Sequence, residues 1–91
     1  MSLLLFTIRS RSERELSEEQ KKAAMGGLKA AVVSSLRTTD MTTQISDMQR
    51  VVMLVNLHAG GAQVVTQRIE TAFYNHCSDP DIYIEYVESN P

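Results

Sequence analysis

From Met41 to His76 the apolar and small residues recur at intervals alternating between four and three: Met41, Ile45, Met48, Val52, Val55, Ala59, Ala62, Thr66, Ile69, Phe73, His76. A seam repeating every 3.5 residues is the coiled-coil period, so this segment is expected to be one helix of roughly 35 residues whose seam packs on a neighbour. The phase survives Gly60-Gly61, which favours continuity, although a glycine after Ala59 is also an ordinary helix stop.

Upstream, Ser17-Glu18-Glu19-Gln20 has the form of a capping box: the Ser17 hydroxyl can take the third amide of a helix while Gln20 reaches back to the cap. A first helix therefore runs from there to about Arg37, with Ala24, Leu28, Ala31, Val32 and Leu36 on one stripe. Gly26 and Gly27 inside it each cost up to about 1 kcal/mol relative to alanine, unless a close neighbour uses the missing side chains. Thr38-Thr39-Asp40 is a polar break that would turn the two helices into a hairpin.

Leu3 to Arg9 and Ile82 to Val87 read as strands, the first apolar on both faces and the second alternating Ile82, Ile84 and Tyr86 with Tyr83, Glu85 and Val87. The expected fold is α+β, in the order β-α-α-β, a helical hairpin with a long second helix packed on a two-stranded sheet. At 1.5 Å per residue the second helix would overhang the first by about 25 Å, leaving Val65, Ile69 and Phe73 to be covered by the two strands running parallel. Two strands alone leave open edges, so dimerisation is expected to complete the sheet. The expected interface is Met41, Ile45, Met48, Val52 and Val55 on the seam, with Ile82, Ile84 and Tyr86 on the last strand.

The chain of 91 residues is expected to be one domain with a core near the lower limit for independent stability. Its 43% hydrophobic and 22% charged residues speak against disorder and against a membrane span. Leu3-Leu4-Leu5-Phe6 stops at Arg9 without a small-residue cleavage site, and the expected location is cytoplasmic. The single cysteine, Cys77, rules out an internal disulfide. Net charge is −2, but residues 1–37 carry seven Lys/Arg against four Glu and residues 38–91 two Arg against seven Asp/Glu, an asymmetry that favours contact between the halves.

Residues able to carry chemistry are few. On a continuous helix His58 and His76 would stand about 27 Å apart and could not share a metal, while His76 and Cys77 diverge by about 100° and make a poor nucleophile pair. Asp79 and Asp81 flank Pro80 as a turn would require, and neither Gly26-Gly27 nor Gly60-Gly61 carries the surroundings of a phosphate loop. No catalytic residue, metal or cofactor is expected. Arg9, Arg11, Arg14, Lys21 and Lys22, with Lys29 beyond them, form a basic concentration that would suit an anion, but Glu13, Glu15, Glu18 and Glu19 interleave with it. The leading expectation is a non-enzymatic interaction or regulatory protein working as a small homo-oligomer, a dimer first, with a protein partner and no membrane. The alternative is a ligand- or nucleic-acid-binding module using the basic N-terminal region, and an enzyme would need a site assembled between chains.

Overall fold

The computed structural model describes residues 2–55 and 61–89. Their elements follow the order β1 (Ser2–Ser10), α1 (Glu18–Ser35), β2 (Met41–Gln44), β3 (Gln49–Leu54), α2 (Gly61–His76) and β4 (Ile82–Ser89). The strands form one antiparallel sheet in the order β2-β3-β1-β4. The fold is thus α+β with two helices and a four-stranded sheet, two interleaved β-α-β units of the split, ferredoxin-like kind.

The first helix forms as its sequence dictates. Gln20 N–H donates to the Ser17 hydroxyl at 3.1 Å, and the Gln20 side chain accepts from Ser17 N–H at 2.9 Å. Ala24, Met25, Leu28, Ala31 and Val32 are its buried residues, and Leu36 caps its end. A Cβ added at Gly27 would meet His76 Cβ at 3.6 Å, so this glycine faces the end of α2 at close range, whereas one added at Gly26 would meet open space.

The expected second helix is corrected over its first part. Met41, Ile45, Met48, Val52 and Val55 do not lie on a helical seam: they belong to, or adjoin, the β2–β3 hairpin. Val51-Val52-Met53-Leu54 is a short apolar run, and such a run satisfies a 3.5-residue period and a fully apolar strand equally well. The β-branched Thr42, Thr43, Val51 and Val52, separated by Ser46-Asp47, decide for a hairpin because they pack well on a pleated sheet. Ser46 closes the turn: its amide donates to Gln49 O at 3.3 Å and its hydroxyl accepts from Met48 N–H at 3.3 Å. His58, Ala59 and Gly60 lie outside the described residues, as does the expected passage of a helix through Gly60; α2 itself starts at Gly61.

The first and last strands do pair, but antiparallel, with Leu4 opposite Glu88 and Ile8 opposite Ile84. The parallel arrangement would follow only if both strands ran against one long helix. With the hairpin inserted, β3 and β4 flank β1 on opposite sides, and α2 crosses β1 between them.

Both helices pack on one face of the sheet. Leu4, Phe6 and Ile8 of β1, Val52 and Leu54 of β3 and Ile82 and Ile84 of β4 meet Val65, Ile69 and Phe73 of α2 and the apolar stripe of α1 in a single core. Phe6 and Phe73 are fully buried, each contributing on the order of 2–3 kcal/mol of hydrophobic burial. Asp40 latches the crossover from α1. Its carboxylate, fully shielded from solvent, accepts from the Arg37 amide at 3.0 Å, the Arg37 guanidinium at 3.1 and 3.2 Å, and Val55 N–H at 3.2 Å. Burial pushes its pKa up, but these hydrogen bonds outweigh it and hold the group below the usual value.

Asp40→Ala should therefore destabilise the fold by about 1–3 kcal/mol, since it leaves the Val55 amide without its acceptor and removes the buried carboxylate shared by the Arg37 amide and side chain, read as a lower urea midpoint. Gly26→Ala should raise the unfolding temperature, by about 0.5–1 kcal/mol of stability, because it gains helix propensity without a clash.

Candidate functional site

Alternation along each strand sends half of the side chains to the face away from the helices. The registers arrange them in rows. Met41, Met53, Leu3 and Ser89 lie side by side across the four strands, followed by Thr43, Val51, Leu5 and Val87. The next positions are polar: Gln49, Thr7 and Glu85, then Arg9 and Tyr83. One end of this face is accordingly apolar and the other hydrophilic. Leu3, Leu5, Val51 and Met53 are only half-buried, and Met41 and Val87 are each 66% exposed. A shallow hollow of about 110 Å³ between Leu3, Met41, Thr43, Val51 and Met53 roughens the surface near β2.

The residues expected at an interface separate. Val52, Ile82 and Ile84 are buried in the core of the chain itself. Met48 packs partly against that core, and Tyr86 stacks at 5.6 Å from Phe6 on the helix side of the sheet, 39% exposed. Val55 is half-buried at the end of β3. Met41 belongs to the open apolar face, and Ile45 is exposed in the hairpin turn. Leu3, Leu5, Val51, Met53 and Val87, which complete that face, escape the helical reading; reading Leu3 to Arg9 and Val51 to Leu54 with period two exposes both apolar sides.

The basic N-terminal region is occupied by its own chain. Arg9 pairs with Glu85 across β1 and β4. Arg11 lies over the Tyr83 ring, 5.0 Å from its centroid, and donates to Pro80 O at 3.2 Å. Arg14 donates to Asp81 at 2.7 Å and approaches Asp79 at 3.4 Å, and Lys21 reaches Asp47 at 3.1 Å and Glu18 at 3.5 Å. Apart from Glu18, every acid in these pairs comes from the acidic second part of the chain, which is how the charge asymmetry is used. Lys22 has no ion pair among the described residues.

Asp81 is the organiser of the β1–α1 connection. It accepts from the hydroxyls of Ser10 at 2.7 Å and Ser12 at 3.0 Å, from the Ser12 amide at 2.9 Å and from Arg14. The Ser10 hydrogen bond, then Arg14 and the Ser12 donors, holds its carboxyl well below the usual carboxylate range. Asp79 accepts from the Asp81 amide at 2.9 Å, so the pair forms a turn. Among the described residues no group of three or more His, Cys, Asp or Glu is placed to hold a metal ion, and no helix is long and apolar enough to cross a membrane. His76 closes α2 beside Gly27, and the Cys77 thiol lies 3.9 Å from Asp79 O.

Because the folded pKa of Asp81 is depressed, the stability it contributes is complete above the unfolded carboxylate value of about 3.9 and is lost as pH falls through the folded one. The unfolding temperature should fall between about pH 5 and pH 2, and less steeply in Asp81→Asn than in the parent chain, as followed by circular dichroism. Compared with known proteins, the chain matches no family model and no curated relative.

Proposed function

We propose that this chain is a protein-interaction module, regulatory or accessory rather than enzymatic, that works as a homodimer in which two copies pack the open faces of their sheets together. The apolar end of the open face carries the reading. Six residues there, Leu3, Leu5, Met41, Val51, Met53 and Val87, present branched and thioether side chains on a continuous surface, and contiguous apolar surface of this kind is what binding faces expose.

A second copy suits this face for physical reasons. Two twisted antiparallel sheets stack at about −30° with interdigitating side chains, and identical sheets have matching twist. The 27 strand residues cover roughly 400 Å² in plan at 3.3 Å along and 4.8 Å between strands. Side-chain relief adds to that, so two copies approach the total of about 1,000 Å² at which specific interfaces begin. The apolar end has neither the aromatic platforms nor the free cations by which sheets bind nucleic acid, and Arg9 at the polar end is already paired with Glu85. The remaining surface, including the outer edge of β2, is left for a protein partner.

Light scattering on the purified chain should give twice the chain mass of 10.2 kDa. Val51→Lys, at the middle of the apolar end, should give a monomer with an unchanged circular dichroism spectrum. A parent chain that stays monomeric at high micromolar concentration overturns the reading, and a dimer that survives Val51→Lys overturns the face assigned to it.

A further inference from the structure

The two edges of the sheet, β2 and β4, are finished differently. Arg11 N–H donates to Asp81 O at 2.7 Å, and the alternation that starts there turns the backbone groups of Ile82, Ile84, Tyr86 and Glu88 away from β1. The first of these amides are already taken: Ile82 N–H donates to Asp79 O at 3.2 Å and Ile84 N–H to the Tyr74 hydroxyl at 3.1 Å. Glu85 and Glu88 add charge to the same strand. An edge capped and charged in this way resists pairing with another chain.

The outer edge of β2 has none of these devices. Ile45 N–H donates to Gln49 O at 3.0 Å, and the same alternation turns the N–H and C=O of Thr42 and Gln44 away from β3, where they meet no partner among the described residues. Met41-Thr42-Thr43-Gln44-Ile45 holds neither a charge nor a proline. The strand is nonetheless fixed, because the Thr42 hydroxyl donates to Val51 O at 2.9 Å and accepts from Arg50 Nη1 at 3.1 Å. On the open-face side Met41 and Ile45 are exposed at 66% and 55%, beside the hollow of about 110 Å³ lined by Met41, Thr43 and Val51. On the helix side Gln44 shares a cleft with Lys22 and Lys29, neither of which has an ion pair among the described residues.

We infer that the outer edge of β2 takes an extended segment of a partner protein as a further strand of the sheet, a segment in which apolar and acidic residues alternate. Main-chain hydrogen bonds to Thr42 and Gln44 supply the pairing, and the strand period supplies the selectivity. Residues of the added strand opposite Met41, Thr43 and Ile45 turn to the open face, where apolar side chains cover Met41 and Ile45 and enter the hollow. Those opposite Thr42 and Gln44 turn to the helix side, where carboxylates complement Lys22 and Lys29. A second copy of β2 is the poorer occupant, since Met41-Thr42-Thr43-Gln44-Ile45 offers no acid to the lysines. The inference rests on the reading of the chain as an interaction module and not on its dimerisation, because Thr42, Gln44 and Ile45 lie outside the apolar end of the open face.

The test is an NMR titration of the full chain with the capped peptides Val-Glu-Val-Glu-Val-Glu-Val and Val-Lys-Val-Lys-Val-Lys-Val, with amide hydrogen exchange followed in the same samples. The glutamate peptide should move the Thr42 and Gln44 amide resonances saturably and slow their exchange, while the Ile84 amide, already bonded to Tyr74, stays as it was. The lysine peptide should bind weaker by roughly fivefold or more, and Lys22→Gln/Lys29→Gln should close that gap. Gln44→Pro should abolish binding, since it removes an outward donor and leaves the β2–β3 ladder intact. Should that variant fail to fold, Ile45→Asp decides in its place, because the side chain it alters is exposed. Absence of saturable binding, unchanged exchange at Thr42 and Gln44, or equal binding of the two peptides overturns the inference. Light scattering on the same samples reports dimerisation separately: a monomer that binds the glutamate peptide overturns the dimer alone, and a dimer that does not bind it overturns the strand site alone.

Discussion

Both sides of β1 are occupied, by β3 through the Leu4–Val52 register and by β4 through the Ile8–Ile84 register, and the rest of the molecule depends on that double pairing. A strand with neighbours on both sides has its backbone groups satisfied along its length, which allows Leu4, Phe6 and Ile8 to be fully buried at no polar cost. With β1 central, the connection through α1 must pass over β3 to reach β2, and the connection through α2 must pass over β1 to reach β4. The helices consequently lie on one face, and the alternate side chains of all four strands are turned away from them.

Charge secures the connections that burial does not reach. Asp40 ties the end of α1 to the end of β3, Asp81 ties the end of β1 to the start of β4, and Lys21 ties α1 to the hairpin turn through Asp47. Each contact joins segments distant in sequence. Asp40 is the most shielded of the three and makes the most complete set of hydrogen bonds, so it carries more of the fold than the solvent-screened pair of Arg9 and Glu85. Arg50 stands apart, a buried charge on β3 to which its neighbours among the described residues offer a threonine hydroxyl and no carboxylate.

Much of this was legible in the sequence. The capping box at Ser17, the stripe from Ala24 to Val32, the end strands and their pairing, and the need to cover Val65, Ile69 and Phe73 all follow from local chemistry and periodicity. The segment from Met41 to Val55 misleads because Val51 to Leu54 of β3 is apolar on both faces, one for the core and one for the open face. Without polar alternation, a helical period fits as well. Arg50 carried a signal in the same segment: on a strand it shares a side with Val52 and Leu54, both of which are fully buried. The basic concentration from Arg9 to Lys22 was visible, but its neutralisation was not, because Glu85, Asp81, Asp79 and Asp47 reach it from 26 to 76 residues away.

The sequence by itself determined where α1 begins, which of its residues are buried, and that two strands close the chain at either end, because capping, helical spacing and strand alternation are properties of neighbouring residues. Only the tertiary structure decided that residues 41–54 form a hairpin and that β1 and β4 are antiparallel. It also decided which basic residues are neutralised, and it turned an apolar face of the sheet away from the helices. Those outcomes rest on contacts between segments far apart in the chain, and no local period encodes which distant segment will supply the partner.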